Sequence, residues 1–347
     1  MPLRTQFGKR HKLKFAVAYC SYQLLGLLAD SVDSVMTFLR IVPSERPRSD
    51  HDQPSDVDGL SDDEIIYLPE PPELAASGAP TSFQSGVHRW TVGTVLKCIP
   101  YSGARGRAES RAMELVFHHT TIPIPRIRRI IDEHDCPNLY GYIIMDYIPG
   151  RTLKEAWPTM SFFAKLRVAF VLRRYIRQLR SIRHPRTAVP GPMGPGLEAL
   201  RGHSPLYGPI NDTLGPFSSY AEYAAFWNER HAYGLTPHNA TPDEEAAIAA
   251  SLVPFDDSAP LVFTHNDLAM RNIIVGDDGR LWLIDWGFAG FYPPWFEFVT
   301  LRLSWLCEKA RERRRDWLWD LCIPFICGPY YWQEWWYEYM GPGLMLR

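Results

Sequence analysis

Apolar and polar positions follow two different periods along this chain, and the switch between them divides it. From residue 83 the period is two. "FQSGVHRW" and "TVLKCIP" predict two strands joined around Thr91–Gly93. "RAESRAMELVFHHT" changes to helical spacing, with Ala108, Ala112, Leu115 and Val116 on one face. "TIPIPRIRRIIDEH" starts extended, because each proline biases its predecessor away from the helical region. "LYGYIIMDYIP" is an apolar strand that stops at the turn signal Pro149-Gly150. Strand, strand, helix, strand, strand predicts a small β-rich lobe over residues 83–148.

Beyond it the helical period dominates, which predicts a larger helical lobe over 151–340. "SFFAKLRVAFVLRRYIRQLRSIR" lines up Phe163, Leu166, Phe170, Leu172, Tyr175, Ile176 and Leu179 in one stripe, and Arg167, Arg173, Arg174 and Arg177 read as a solvated outer face. Residues 185–216 are rich in Pro and Gly and read as loops. "FSSYAEYAAFWNERHAYG" and "PDEEAAIAASLV" read as helices, and the chain after Phe291 as helical and aromatic. Among them lie three short strands, "LVFTH", "IIV" and "LWLID", with "NDLAMRN" as a loop and "GDDGR" as a hairpin turn.

The first 80 residues belong to neither lobe. Residues 1–42 read as a basic, helical extension, "RTQFGKRHKLK" running into "FAVAYCSYQLLGLLA". That apolar run is broken by Ser, Tyr and Gln and reads as too short for a membrane span. A helix docked on the domain or on a partner is the favoured reading, ahead of an organelle address and of membrane attachment. Residues 43–80, rich in Pro, Ser and Asp, read as a flexible acidic linker, apart from a short ordered piece allowed at "IIYLP".

Charge and cysteine usage narrow the function. With 37 Lys and Arg against 39 Asp and Glu there is no overall basic field, so nucleic acid is not an expected partner. The 6 cysteines are scattered without a CxxC pair, which implies reduced thiols and a cytoplasmic setting.

The candidate chemistry sits in "FTHNDLAMRNIIVGDDGRLWLIDWGFAG". A loop and a hairpin can bring Asp267, Asn272 and Asp285 to one cleft. Their oxygens suit Mg²⁺, which takes few protein ligands and completes its shell with phosphates. Asn272 lies 5 residues after Asp267, and Asp285-Trp286-Gly287 begins 13 residues after Asn272, the spacing of a phosphoryl-transfer site. Such a site needs a lysine for the phosphates and an acid on the next helix to hold it. Lys97 is the only lysine between Lys14 and Lys154, and Glu109 and Glu114 are the acids of the following helix.

On "HNDLAMRNIIV", "LIDWGFAGFYPPWFEF", "ESRAMELVFHHTTIPIPRI" and "YIIMDYIPGRTL" the sequence resembles the aminoglycoside phosphotransferase-like family of the protein-kinase-like superfamily, over about residues 83–305. The resemblance implies an α+β, two-lobed protein-kinase-like fold with ATP and Mg²⁺ in the cleft, and phosphorylation of a hydroxyl group on a small molecule. Asp267 would be the catalytic base, Asn272 and Asp285 the Mg²⁺ ligands, and Lys97 the phosphate-binding cation paired with Glu109. Asp146 and Ile148 would be hinge residues meeting the adenine through their backbone, and His265 would brace the loop. Three features depart from the family pattern. "HND" replaces HGD, Ala269 stands where protein kinases commonly carry Lys, and "SFQSGVHRWTVG" has no G-x-G-x-x-G to cover the phosphates. Two competing readings remain. One is a catalytically silent kinase-like scaffold. The other is a metal hydrolase using His265, Asp267 and Asp285, which lacks a second His–Asp cluster.

Overall fold

Lys97 owes its position to strand alternation. The computed structural model describes residues 9–38, 54–66, 86–100, 103–131, 140–194, 200–202, 204–208, 214–237, 239–312 and 316–344. Within it β1 (Val87–Arg89), β2 (Thr94–Pro100), β3 (Ile127–Ile131) and β4 (Tyr140–Asp146) pair antiparallel in the order β1-β2-β4-β3. Successive side chains of a strand point to opposite faces. Ile99, Ile143 and Met145 therefore join the main core beside Ala112, Met113 and Val116 of the helix Gly103–His119. Lys97 lies at the same parity as Ile99. Leu96, Cys98, Tyr142 and Ile144 face the other way.

That second face needs a cover, and residues 54–66 supply it. Their assignment to a flexible linker is corrected here. Val57 and Ile65 are buried against Leu96, Ile131 and Tyr142, Trp90 donates its indole N–H to the Ile65 carbonyl at 2.8 Å, and Asp56 accepts from the Gly93 N–H at 3.1 Å. A segment too polar to fold alone is ordered by a sheet face that would otherwise be wet. Cys136 and the linker's remaining residues, 43–53 and 67–80, lie outside the described residues.

Numbered along the chain, α1 is Lys9–Phe38, α2 is Asp62–Ile66 and α3 is Gly103–His119. The larger lobe adds α4 (Leu153–Ala156), α5 (Phe162–Ser181), α6 (Tyr220–Leu235), α7 (Pro242–Ser251), α8 (Trp295–Glu312), α9 (Trp317–Cys327) and α10 (Tyr331–Leu344). The fold is α+β, with a small antiparallel-sheet lobe and a helical lobe. Two three-stranded sheets serve the site. One runs β5 (Gly150–Thr152), β8 (Ile273–Gly276), β9 (Leu281–Leu283); the other runs β6 (Gly191–Pro192), β10 (Gly290–Tyr292), β7 (Val262–Thr264). β6 falls in the stretch read as loops, and β10 takes Phe291, read as the edge of a helix. Gly290 permits it, because a Cβ there would run into the Gly191 carbonyl.

The connection between lobes is tied on both sides. Tyr147 N–H donates to the Gly93 carbonyl at 2.8 Å, and Asp277 N–H to the Pro149 carbonyl at 3.0 Å. Gly150, at φ +148°, then pairs with Gly276, and any Cβ there would strike the Val275 carbonyl.

Much of the abundant tryptophan is core, although Trp317 and Trp332 are exposed. Trp227, Phe255, Phe296 and Trp336 are buried around α6 and α10, and Trp227 stacks on Phe255 at 6.1 Å. Contacts of this kind add about 0.5–1.5 kcal/mol each beyond area burial.

Of the outer arginines of α5, Arg167 is exposed as expected, but Arg173, Arg174 and Arg177 are not a solvated face. Arg173 pairs with Asp30 at 2.7 Å and Arg177 with Asp33 at 3.0 Å, which docks α1 on α5. Arg173 and Arg180 also donate to the Phe325 and Cys327 carbonyls at 2.5 and 2.6 Å, satisfying last-turn carbonyls of α9 that have no helical donor. The apolar run of α1, expected to be too short for a membrane span, is longer than that. Phe15–Met36 is 22 continuous helical residues with mean hydropathy 1.3, long and apolar enough by length and composition to cross a membrane.

Candidate active site

Three elements meet at Lys97. Its Nζ lies 2.7 Å from Glu109 Oε1 of α3 and 2.7 Å from Asp285 Oδ1, which follows β9. Burial alone would lower the Lys97 pKa, but the two carboxylates outweigh it and raise it above the ordinary lysine value. Asp285 answers in kind. Burial would raise its pKa, but Lys97 holds the carboxyl below its usual range. Glu109 Oε1 also accepts the Trp286 N–H at 3.2 Å, so α3 grips the chain on the far side of Asp285. Asp285 has φ +65°, a strained left-handed conformation held by these contacts. Its side chain stays 43% exposed, so one carboxylate oxygen can still reach a ligand.

Asp267 and Asn272 form a second group. Asn272 Nδ2 donates to Asp267 Oδ2 and to the Asp267 carbonyl, both at 2.8 Å. That orientation commits the amide nitrogen to Asp267 and leaves the side-chain oxygen as a donor for a cation. The two groups share Ile284: its N–H donates to the Asn272 carbonyl at 3.0 Å and its carbonyl lies 3.0 Å from His265 Nε2.

His265 braces this junction. Asp267 N–H donates to Nδ1 at 3.3 Å, so Nε2 carries the proton and donates to the Ile284 carbonyl. Burial pushes the imidazole pKa down to about 4, so the ring is neutral and serves as a strut.

Two further residues act on Asp267, and the sequence reading assigned neither. Arg271 Nη2 donates to both Asp267 oxygens at 2.6 and 2.8 Å, and its Nη1 reaches Ser304 and Glu308 of α8. Burial raises the Asp267 pKa, and Arg271 offsets part of the rise. The i,i+4 spacing from Asp267 was the available signal. Glu297, in the first turn of α8, accepts from the backbone N–H groups of His265 at 2.7 Å and Asn266 at 3.1 Å. Its burial pushes the carboxyl up to about 7. Asn266 explains the departure from HGD. It sits at φ +62°, a backbone glycine takes freely and asparagine tolerates. Its side chain donates to Ser204 Oγ at 3.0 Å.

Lys97, Glu109, Asp267, Asn272 and Asp285 are thus brought together, whereas Glu114 makes no ion pair among the described residues. Asp146 and Ile148 line a different space, a cavity of about 610 Å³ with Tyr147, Pro149, Arg128 and Trp282, whose lining includes none of those five. The Asp146 side chain pairs with Arg128 at 2.5 Å and its N–H donates to the Arg126 carbonyl at 3.0 Å. The turn of "SFQSGVHRWTVG" is the β1–β2 turn, fastened to this hinge through Gly93; residues 81–85 lie outside the described residues.

Among the described residues no group of three or more His, Cys, Asp or Glu could hold a metal. A magnesium ion bound by Asn272 and Asp285 fits this arrangement, since it would draw its remaining ligands from phosphate and water.

A family model described as the phosphotransferase enzyme family matches residues 84–320. No curated protein matches the sequence. Many solved structures are similar at low identity, among them the following three. The apo form of a thermostable mutant of aminoglycoside phosphotransferase APH(4)-Ia shares 15% identity at a TM-score of 0.39, covering 75% of this chain and 94% of that one. The streptomycin–ATP–APH(2")-IIa ternary complex shares 17% at 0.38, covering 64% and 68%. The GDP complex of wild-type aminoglycoside 2'-phosphotransferase-IIIa shares 12% at 0.39, covering 77% and 91%.

Proposed function

The chain belongs to the phosphotransferase enzyme family, and from that premise we propose that it transfers the γ-phosphoryl group of ATP, with Mg²⁺, to a hydroxyl group of a small molecule. One observation carries this reading. Lys97 Nζ is held at 2.7 Å from both Glu109 and Asp285, and Ile284 ties Asp285 to the loop bearing Asp267 and Asn272.

Phosphoryl transfer asks mainly for positioning and neutralised charge. Lys97 supplies a cation for the phosphate oxygens, kept protonated by its two acids. Magnesium, when bound, would neutralise phosphate charge, with Asn272 and Asp285 as its protein oxygens. Asp267 orients the acceptor hydroxyl and takes its proton. The acceptor oxygen bonds to the γ-phosphorus, the bond from γ-phosphorus to the β–γ bridging oxygen breaks, and ADP leaves. For Asp267 to take a proton, the acceptor must enter beside Arg271 and loosen its hold. Ala269 and its burial give no cation at the position where protein kinases commonly carry lysine, which favours a small acceptor over a protein.

A silent kinase-like scaffold is the second reading. One observation favours it: both Asp267 oxygens are engaged by Arg271. The two readings part in one experiment. The purified chain is incubated with Mg²⁺ and ATP against a library of hydroxylated metabolites, and ADP release is followed. Turnover with at least one acceptor is expected, and Asp267→Asn should abolish it while the nucleotide-induced rise in melting temperature persists. Turnover retained by Asp267→Asn would remove the role given to Asp267. Nucleotide binding without turnover on any acceptor would favour the scaffold.

A further inference from the structure

We propose that the outer face of α1 docks on an anionic lipid bilayer, with the helix lying along the membrane surface. The inference is independent of the reaction assigned above. Between residues 15 and 38 the only charged side chains are Asp30 and Asp33. Both turn inward to Arg173 and Arg177, and only 26% and 27% of their side chains remain exposed. Polar groups of a surface helix ordinarily face water. Here the charge is spent on the protein and the outward face carries none.

What that face presents is apolar. Val17 (58% exposed), Leu24 (62%), Leu27 (63%), Leu28 (58%), Val32 (57%) and Phe38 (85%) stand out from the helix. Apolar side chains are also exposed on α5, Phe163 at 80% and Phe170 at 48%. Neither belongs to the buried stripe of Leu172, Tyr175, Ile176 and Leu179 with which the helical spacing grouped them; seven-residue spacing puts them on the side of Arg177, which pairs with Asp33. A helix face with this many exposed apolar side chains and no charge marks an interaction surface.

Charge at its two ends selects the occupant. Lys9, Arg10, Lys12 and Lys14 occupy the first turns of α1, and no acid occurs before Asp30. At the other end a groove of about 890 Å³ is lined by Phe38, Asp33, Arg174, Arg177, Arg180 and Arg183. Arg174 and Arg177 pair with Asp33 and Arg180 with the Cys327 carbonyl, and the exposed Arg183 adds a cation at the rim. An apolar strip flanked by cations matches the interface of an anionic leaflet, with acyl chains under the strip and headgroups at its ends. Lying flat preserves the Asp30 and Asp33 ion pairs. Spanning would strip both acids from their arginines and place them in hydrocarbon.

The test is flotation of the full chain with phosphatidylcholine vesicles and with vesicles that also contain phosphatidylserine. The chain should float with the anionic vesicles, bind neutral ones far more weakly, and come off as salt rises. Leu24→Asp with Leu28→Asp should cut the anionic-vesicle partition coefficient by roughly tenfold or more without moving the melting temperature, since both side chains face outward. Lys9→Gln, Arg10→Gln and Lys12→Gln together should weaken binding to anionic vesicles alone. Three outcomes would overturn the proposal. The chain could stay unbound with both vesicle types. It could bind both equally and resist an alkaline wash, as a spanning helix would. It could form a dimer that Leu24→Asp with Leu28→Asp dissolves, which would make a second copy the occupant.

Discussion

The cleft and the groove beneath α1 are made from the same ingredients, acids held by Lys or Arg at salt-bridge distance, and they use them differently. In the cleft, one lysine serves two acids from separate elements, and Asp285 keeps 43% of its side chain exposed. Under α1, arginines on successive turns of one helix absorb two acids of another, each about a quarter exposed. The first arrangement can exchange a partner for a ligand, because a carboxylate oxygen remains within reach of solvent. The second consumes its charges to fix a helix, and so decides what the outside of that helix can touch. An ion pair is therefore informative through what it leaves accessible more than through its strength, which is modest where solvent screens it.

The comparison breaks most decisively at Lys97. Lys97→Met should lower kcat/KM by roughly two to three orders of magnitude and abolish the melting-temperature rise on adding Mg²⁺ and ATP. A variant that kept both would make the cleft cluster as purely structural as the one under α1. A smaller effect is expected at Glu297, which links α8 to the loop of Asp267. It stands at about 7 against an ordinary 4.5. A raised pKa means the folded state holds the proton more tightly, so the contribution is complete below about 4.5 and is lost as pH rises through about 7, worth on the order of 3 kcal/mol. The melting temperature should fall across that window, and Glu297→Gln should flatten the fall; equal slopes in a pH series would contradict the assignment. The smallest effect belongs to the groove. Asp30→Asn with Asp33→Asn should cost only about 1–2 kcal/mol, a drop of a few degrees by thermal denaturation, with no change in turnover.

Much of this was legible in the sequence, for an identifiable reason. Asp267, Asn272 and Asp285 fall within 19 residues of one another on a loop and a hairpin, so local geometry suffices to converge them. Lys97 could be found because it lies on the second predicted strand, just before the helix of Glu109, and no other lysine competed nearby. The small lobe followed from periods of 2 and 3.6 residues. What escaped depends on where side chains reach across the chain. Glu297 meets the backbone of residues separated from it by 31 and 32 positions, and Arg173 meets Asp30 across 143. No period records such a pairing. Residues 54–66 were read as linker because only a few apolar side chains, Val57 and Ile65 foremost, anchor an otherwise polar segment, and the face they cover exists only once the sheet has formed.

The ties at the hinge have a mechanical consequence. Tyr147 is fastened to the upper lobe through Gly93, and Pro149 to the lower lobe through Asp277. Only the backbone of Tyr147, Ile148 and Pro149 lies between the fastened N–H and carbonyl, so a relative rotation of the lobes concentrates in the torsions of these three residues. Such a rotation would load the Lys97–Asp285 contact, which also bridges the lobes. Gly150, whose β5–β8 pairing tolerates no side chain, keeps the axle from drifting. Opening of the cleft, then, would be metered by the torsional stiffness of a three-residue hinge whose last member is a proline.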